Sequence, residues 1–137
     1  MRVVVDTNVL IAALLVAGVA ARLLTAWRRG AFDLLTCGLQ LHEVRVVTRR
    51  PQVRALLKPA LAGDLVNRLR DLVIWVDALP PVQRSPDPFD NFQLALAQAG
   101  AADVLVSGDK RGLLALRSHG RCRIVGLRAF LDELGLA

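Results

Sequence analysis

Four acids of this chain occupy positions from which a carboxylate could bind a metal ion: Asp6, Glu43, Asp90 and Asp109. Two of them, Asp6 and Asp109, follow short apolar runs that are typical of buried parallel strands. In open α/β sheets, ligands bind outside the carboxyl ends of the strands. A carboxylate in apolar surroundings also needs a partner that compensates its charge. The alternatives are that Asp6 caps the following helix, as Asn8 equally could, and that Lys110 neutralises Asp109.

Glu43 interrupts the apolar stripe of a helix that the pattern predicts from Gly38 to Arg50. The apolar members of that stripe are Leu39, Val46 and Val47. A carboxylate on such a face needs a cation, a proton or several hydrogen bonds. The alternative is a salt bridge with Arg45 or Arg49, or a rotated helix that exposes Glu43.

Asp90 follows the Pro-rich segment Ser85-Pro86-Asp87-Pro88-Phe89 and begins a predicted helix. Asp90 and Gln93 match a capping box, in which each side chain satisfies a free backbone N–H at the start of the helix. A helix amino terminus also favours an anion. Capping and metal binding are compatible roles for this residue.

Together, these four acids predict a cluster of hard oxygen donors at one edge of a sheet. Such donors suit Mg²⁺ or Mn²⁺ better than zinc, which favours His or Cys. Only two histidines are present, and we expect His42 to be structural or exposed because it lies on a different helix face from Glu43. Cys37 and Cys122 match neither a zinc nor a redox spacing, which is typical of reduced cysteines in a cytosolic protein.

Helices and strands alternate along the chain. The helices are predicted over Val9–Val16, Ala20–Arg29, Gly38–Arg50, Val53–Leu57, Gly63–Leu72, Asp90–Ala99, Gly112–Leu116 and Leu127–Leu134. The strands are predicted over Val3–Val5, Phe32–Thr36, Val73–Val76, Asp103–Ser107 and Arg123–Val125, with a loop over Leu79–Phe89. This alternation predicts an α/β fold with a mainly parallel sheet covered on both faces. A length of 137 residues fits a single domain, 1–137.

The composition limits the classes of partner. The net charge is +6, almost all from arginine, which indicates a polyanionic partner such as nucleic acid or a mere preference for Arg over Lys. Aromatic residues make up 4%, so an aromatic stacking platform for RNA is not expected. The apolar stretch Val9–Ala21 is too short to span a bilayer and follows an acid, so we expect a buried helix and neither a signal peptide nor a membrane anchor.

Four segments resemble those of the PIN-domain ribonucleases, especially the small prokaryotic VapC-like toxins of type II toxin–antitoxin modules. The segments are Val5-Asp6-Thr7-Asn8-Val9-Leu10, Leu39-Gln40-Leu41-His42-Glu43-Val44, Asp87-Pro88-Phe89-Asp90-Asn91 and Ala102-Asp103-Val104-Leu105-Val106-Ser107-Gly108-Asp109-Lys110. The resemblance extends from Met1 to about Leu131, and the first and last segments are the most specific. It implies a three-layer α/β/α sandwich with a five-stranded sheet.

The resemblance also implies roles for individual residues. The acidic quartet of the family falls on Asp6, Glu43, Asp90 and Asp109, which would be both the metal ligands and the catalytic residues. Thr7 or Asn8, and Ser107, occupy positions of small polar residues that orient the acids or metal-bound water. Two positions depart from the family, since Cys37 stands where Ser is common and Asn91 where a second acid is common. Asn91 makes a second metal ion less secure.

The leading hypothesis is a metal-dependent endoribonuclease that uses one or two Mg²⁺ or Mn²⁺ ions. Arginines outside the cleft would hold the RNA backbone: Arg45, Arg49, Arg111 and Arg117. The resemblance implies a cognate antitoxin and a homodimer. We expect the protein to be cytoplasmic. The main alternative is a non-catalytic or phospho-acceptor binding domain that uses the same acidic cleft, but Glu43 would have no role there. A Mg²⁺-dependent phosphatase is a third option, although its usual second Asp would fall on Asn8.

Overall fold

The protein is described here from a computed structural model, which covers residues 1–15, 19–57, 67 and 73–136. Its strands are β1 Arg2–Val5, β2 Asp33–Thr36, β3 Ile74–Trp75, β4 Val104–Val106, β5 Ser118–His119 and β6 Cys122–Val125. The helices of these segments are α1 Thr7–Leu15, α2 Val19–Arg28, α3 Gly38–Thr48, α4 Pro51–Arg54, α5 Pro88–Ala99, α6 Leu113–Leu116 and α7 Leu127–Glu133. The helix predicted over Gly63–Leu72 lies outside the described residues except for Asn67.

The strands form one sheet in the order β3-β2-β1-β4-β6-β5, with β1 near its centre. Every neighbouring pair is parallel except β5 and β6, which are antiparallel. The predicted mainly parallel α/β/α architecture is therefore confirmed. The sheet has one strand more than the five expected, because a tight turn at Gly120, with φ of 58°, lets the short β5 pair with β6.

Side chains alternate between two apolar cores, one on each face of the sheet. Val3 and Val5 of β1 enter the first core with residues of α1, α2 and α7, whereas Val4 enters the second core with residues of α5 and α6. Strand β4 alternates in the same way. Because both faces are buried, these strands consist of continuous apolar runs, and their polar residues lie at the ends.

Helix α5 begins two residues earlier than the sequence predicted. Pro88 occupies its first turn, where its fixed φ suits a helix, and the side chain of Asp87 caps it by accepting a hydrogen bond from the N–H of Phe89 at 2.9 Å. The predicted capping box of Asp90 and Gln93 is therefore wrong. Asp90 lies inside the first turn, which frees its carboxylate for other contacts.

Helix α3 buries a different face from the predicted stripe. Leu39 is 57% exposed and Val46 is 44% exposed, whereas Gln40 and Val44 are buried. The reason is a polar contact: the Gln40 amide donates to the carbonyl of Val5 at 2.7 Å and accepts from the Thr36 hydroxyl at 2.7 Å. Among the described residues, no helix is long and apolar enough to cross a membrane.

Candidate active site

Asp6 lies directly beyond the end of β1 and is buried, with 5% of its surface exposed. One carboxylate oxygen accepts from the backbone N–H of Asn8 at 3.1 Å, and the other accepts from the Ser107 hydroxyl at 2.9 Å. The first contact caps α1, so Asp6 has the alternative role of a helix cap through one of its two oxygens. The second contact ties the ends of β1 and β4 together. The acid predicted at this edge therefore has a fixed orientation.

Asp109 follows β4 in a turn built around its own side chain. Its carboxylate accepts from the backbone N–H groups of Arg111 and Gly112 at 3.2 and 3.0 Å, and its own N–H donates to the Ser107 hydroxyl at 3.1 Å. Lys110 forms no ion pair with Asp109 in the described part of the chain, so the structure does not support the alternative in which Lys110 neutralises this acid. Ser107 thus contacts both strand-end acids.

The carboxylates of Asp90 and Asp109 both lie beside Gly112. A Cβ atom at Gly112 would lie 2.8 Å from the carboxyl carbon of Asp109 and 2.9 Å from an oxygen of Asp90. The two carboxylates therefore occupy the space that any side chain at this position would need. Sequence patterns indicated only the start of a helix at this glycine.

Asp90 is held by the loop that precedes α5. The Ser85 hydroxyl donates to an Asp90 oxygen at 2.9 Å. Asn91 fixes that loop, because its side chain accepts from the N–H groups of Arg84 and Ser85 and donates to the Ser85 carbonyl. The amide of Asn91 is thereby committed to the loop. Sequence reasoning missed Ser85, and its only signal was a small polar residue beside a cluster of acids.

Glu43 is half-buried on α3, and the Thr7 hydroxyl donates to its carboxylate at 3.2 Å. The alternative, a salt bridge with Arg45 or Arg49, does not form within the described segments. The nearby positive charge that favours its ionised form is that of Arg50. Of the small polar residues predicted beside the acids, Thr7 contacts Glu43, Asn8 contacts Asp6 through its backbone, and Ser107 contacts Asp6.

Burial and mutual repulsion raise the pKa of three of the acids. Desolvation is the largest cause of the raised pKa of Asp6, Glu43 and Asp90, and hydrogen bonds from Ser107, Thr7 and Ser85 oppose it only in part. The charge of Asp109 raises the pKa of Asp6 and of Asp90 further. Asp87, at the start of α5, acts in the same direction on Glu43 and Asp90. Among the described residues, the positive charge of Arg50 therefore offsets only part of the repulsion between these acids.

No Lys, Arg or His side chain of the described segments forms an ion pair with any of the four acids. Arg111 is exposed beside Asp109. Arg117 follows α6, at the end of that helix away from Gly112, and its carbonyl accepts from the N–H of Ile124 in the middle of β6. Arg45 is half-buried on α3, and Arg49 is exposed directly after the end of that helix.

Comparison with protein families matches residues 2–111 to the PIN domain. The chain belongs to the PIN-domain family. Members of this family are generally nucleases and generally bind divalent metal ions. Comparisons with curated proteins and with solved structures find no match.

The carboxyl edge of this PIN domain fits a divalent ion that keeps part of its hydration shell. Within the described residues, no three Asp, Glu, His or Cys side chains lie close enough together to enclose an ion. Mg²⁺, however, is usually bound through one or two carboxylates and retains several waters. Such an ion suits the carboxylate oxygens of this edge, because Asp90 and Asp109 lie together beside Gly112. It also suits the absence of an ion-paired Lys, Arg or His at these acids in the described segments.

Gln93 is a further polar residue of this edge, and sequence reasoning placed it only in a capping box. It is 2% exposed and lies one turn after Asp90 on α5. Its amide nitrogen donates to the Phe89 carbonyl at 3.3 Å, and the amide also lowers the pKa of Asp6. Its carbonyl oxygen is buried and finds no partner among the described residues. An unsatisfied buried acceptor costs about 1–3 kcal/mol.

Proposed function

We propose that this PIN domain is a metal-dependent endoribonuclease and the toxin of a toxin–antitoxin module. The observation that carries the proposal is the group of acids at the carboxyl edge of β1 and β4, where Asp90 and Asp109 meet at Gly112 and Asp6 lies beside Ser107. Family membership supports the nuclease part. The net charge of +6 for the whole chain, despite this acidic edge, supports a polyanionic substrate that reaches the acids through a bound cation.

Each residue of the proposed site has a defined task. Asp6, Asp90 and Asp109 would hold one or two Mg²⁺ or Mn²⁺ ions, with Glu43 binding directly or through water. The bound ion would supply Lewis-acid activation for hydrolysis of a phosphodiester. Ser107, Thr7 and Ser85 keep three of the carboxylates in place, so that little reorganisation is needed when substrate binds.

The arginines outside this edge would bind the RNA backbone. Arg111 is the candidate best supported by its position, because its backbone contacts Asp109. Three arginines would meet flanking phosphates: Arg45 on α3, Arg49 directly after α3 and Arg117 directly after α6. Contacts of this kind weaken as salt concentration rises.

The test is cleavage of a structured RNA by the purified protein with Mg²⁺, with EDTA and after substitution. We expect cleavage that requires the metal and falls at least about 100-fold in Asp6→Asn, because a preorganised charge at the reaction centre is lost. Asp132→Asn is the matched control, since Asp132 is an exposed acid on α7. RNA that stays intact in every condition, while Asp6 accepts phosphate from a small phosphodonor, would favour the phospho-acceptor alternative and exclude the nuclease.

The toxin role is tested separately in cells. Expression of the protein in the cytoplasm should arrest the growth of the cells, and expression of the Asp6→Asn variant should not. Co-expression of a small protein encoded directly upstream should relieve the arrest if that protein is the antitoxin. A purified protein that runs as a dimer would support the proposed homodimer. Normal growth despite active enzyme in vitro would contradict the toxin role and leave the ribonuclease proposal intact.

A further inference from the structure

Gln93 has the one buried side-chain oxygen or nitrogen that finds no hydrogen-bond partner in the described part of the chain. Each native buried polar group without a partner needs an explanation. Because Gln93 is 2% exposed, bulk water cannot supply a donor without local movement. An apolar side chain of similar volume would avoid this desolvation cost, so the retained amide indicates a requirement other than packing.

The hydrogen bond from the Gln93 amide to Phe89 shows which end of the amide is the oxygen. The side-chain nitrogen donates to the Phe89 carbonyl one turn earlier at 3.3 Å, and Gln93 itself lies one turn after Asp90 on α5. Exchanging the two ends of the amide would set its oxygen against the Phe89 carbonyl and lose this hydrogen bond. The carbonyl oxygen is therefore the end without a partner in the described residues, and it belongs to a residue one turn from Asp90 of the proposed metal site.

We propose that Gln93 supplies a further, neutral oxygen ligand to the divalent cation at this edge, directly or through one water of its hydration shell. Hard cations accept amide carbonyl oxygens as well as carboxylates. Binding would give the oxygen the partner that it lacks, and a neutral ligand adds no repulsion among acids that already repel one another. This inference rests on the proposed function, because it requires a divalent ion at the carboxyl edge.

The test measures binding of Mn²⁺ and Mg²⁺ without RNA, by calorimetry and by the electron paramagnetic resonance of free Mn²⁺. We compare the parent with Gln93→Leu and Gln93→Met, which keep the volume and remove the oxygen. We expect the dissociation constant to rise about 10-fold or more, as for other residues that support a bound metal. Gln98→Leu is the matched control, because Gln98 is exposed on the same helix and contacts His119.

A second readout separates a ligand from a structural residue. In EDTA, we expect Gln93→Leu or Gln93→Met to have a Tm equal to or above that of the parent, because each variant removes an unsatisfied buried oxygen. Unchanged metal affinity in the folded variants would overturn the inference, whatever the Tm. If the parent itself binds neither Mn²⁺ nor Mg²⁺, the proposed metal-dependent function fails together with the inference. If the parent binds metal and the variants bind equally well, only the inference fails.

Discussion

Asp6 shows how a single carboxylate can serve the helix and the site together. One oxygen caps α1 through the N–H of Asn8, and the other accepts from the buried hydroxyl of Ser107. These two bonds stabilise the ionised form, but burial still dominates and raises the pKa of Asp6. The residue is thus oriented by the protein while its charge is left incompletely compensated. The proposed divalent cation would be the partner that completes this compensation.

The residue-scale prediction concerns Gly112. In Gly112→Ala, the new methyl group would meet the carboxylates of Asp109 and Asp90, which hydrogen bonds hold in place. We expect the free energy of unfolding to fall by about 1–3 kcal/mol, because the displaced carboxylates give up hydrogen bonds from the Gly112 N–H and the Ser85 hydroxyl. We expect RNA cleavage to fall at least about 10-fold, because both acids must move.

Denaturant unfolding and cleavage assays measure these two effects. Gly38→Ala is the control, because a Cβ atom there meets nothing within 4 Å. A Gly112→Ala variant with parental cleavage rates would show that the positions of Asp90 and Asp109 do not matter for the reaction.

At the scale of the element, α3 is placed by Gln40. This buried amide links the helix to the ends of β1 and β2 through Val5 and Thr36, and it thereby brings Glu43 within reach of Thr7. Because of this contact, α3 buries the polar side chain of Gln40 and not the predicted apolar stripe. As a result, Leu39 and Val46 lie on the surface and Glu43 lies at the margin of the site.

The element-scale prediction is that Gln40→Leu loosens α3. The substitution leaves the Val5 carbonyl and the Thr36 hydroxyl without their partner, so we expect unfolding to become easier by about 1–3 kcal/mol. Denaturant unfolding measures this loss. Gln52→Leu is the matched control because Gln52 is exposed on α4. Equal stability of the two variants would mean that Gln40 does not anchor the helix.

At the scale of the whole molecule, the parallel sheet gathers acids from distant parts of the chain at one edge. The carboxyl ends of β1 and β4 lie side by side, and α3 and α5 add Glu43 and Asp90. The three raised pKa values mean that the folded protein holds protons on these groups more tightly than the unfolded chain does. Binding of the proposed cation to these acids would therefore be coupled to folding through charge.

The whole-molecule prediction follows from the sign of this coupling. A group with a raised pKa in the folded state stabilises the fold below its ordinary value, here 3.8 for Asp and 4.5 for Glu, and this contribution is lost as pH rises through the raised pKa. In EDTA, we expect these acids to make the Tm decline as pH rises above that range. Mg²⁺ at 100 times its dissociation constant should restore about 2.7 kcal/mol at neutral pH.

Thermal melts across pH, with EDTA and with Mg²⁺, measure this effect. Asp6→Asn should flatten the decline in EDTA and reduce the gain from Mg²⁺, because it removes one of the charges while keeping a residue that can cap α1. A Tm in EDTA with the same pH dependence in the parent and in Asp6→Asn would contradict the coupling.

Much of the fold could be predicted from the sequence because strands buried on both faces leave a local signature. The apolar runs before Asp6 and Asp109 indicated parallel strands with acids at their ends, and the structure contains both strands. The start of α5 was misplaced, because Asp87 and Asp90 are both acceptable caps and only the position of Pro88 decided between them. Strand β5, Ser118–His119, is too short to show a hydrophobic periodicity in the sequence.

The sequence by itself determined which four acids stand at strand ends and helix faces, and it predicted hard cations as their partners. Tertiary structure alone decided which groups meet those acids. Ser107 hydrogen-bonds to Asp6 although the two are 101 positions apart in the chain. Gln40 ties α3 to the end of β1, and Gly112 leaves room for two carboxylates. The physical reason is that periodicity reports burial along one element, whereas hydrogen bonds and close approaches depend on how separate elements pack.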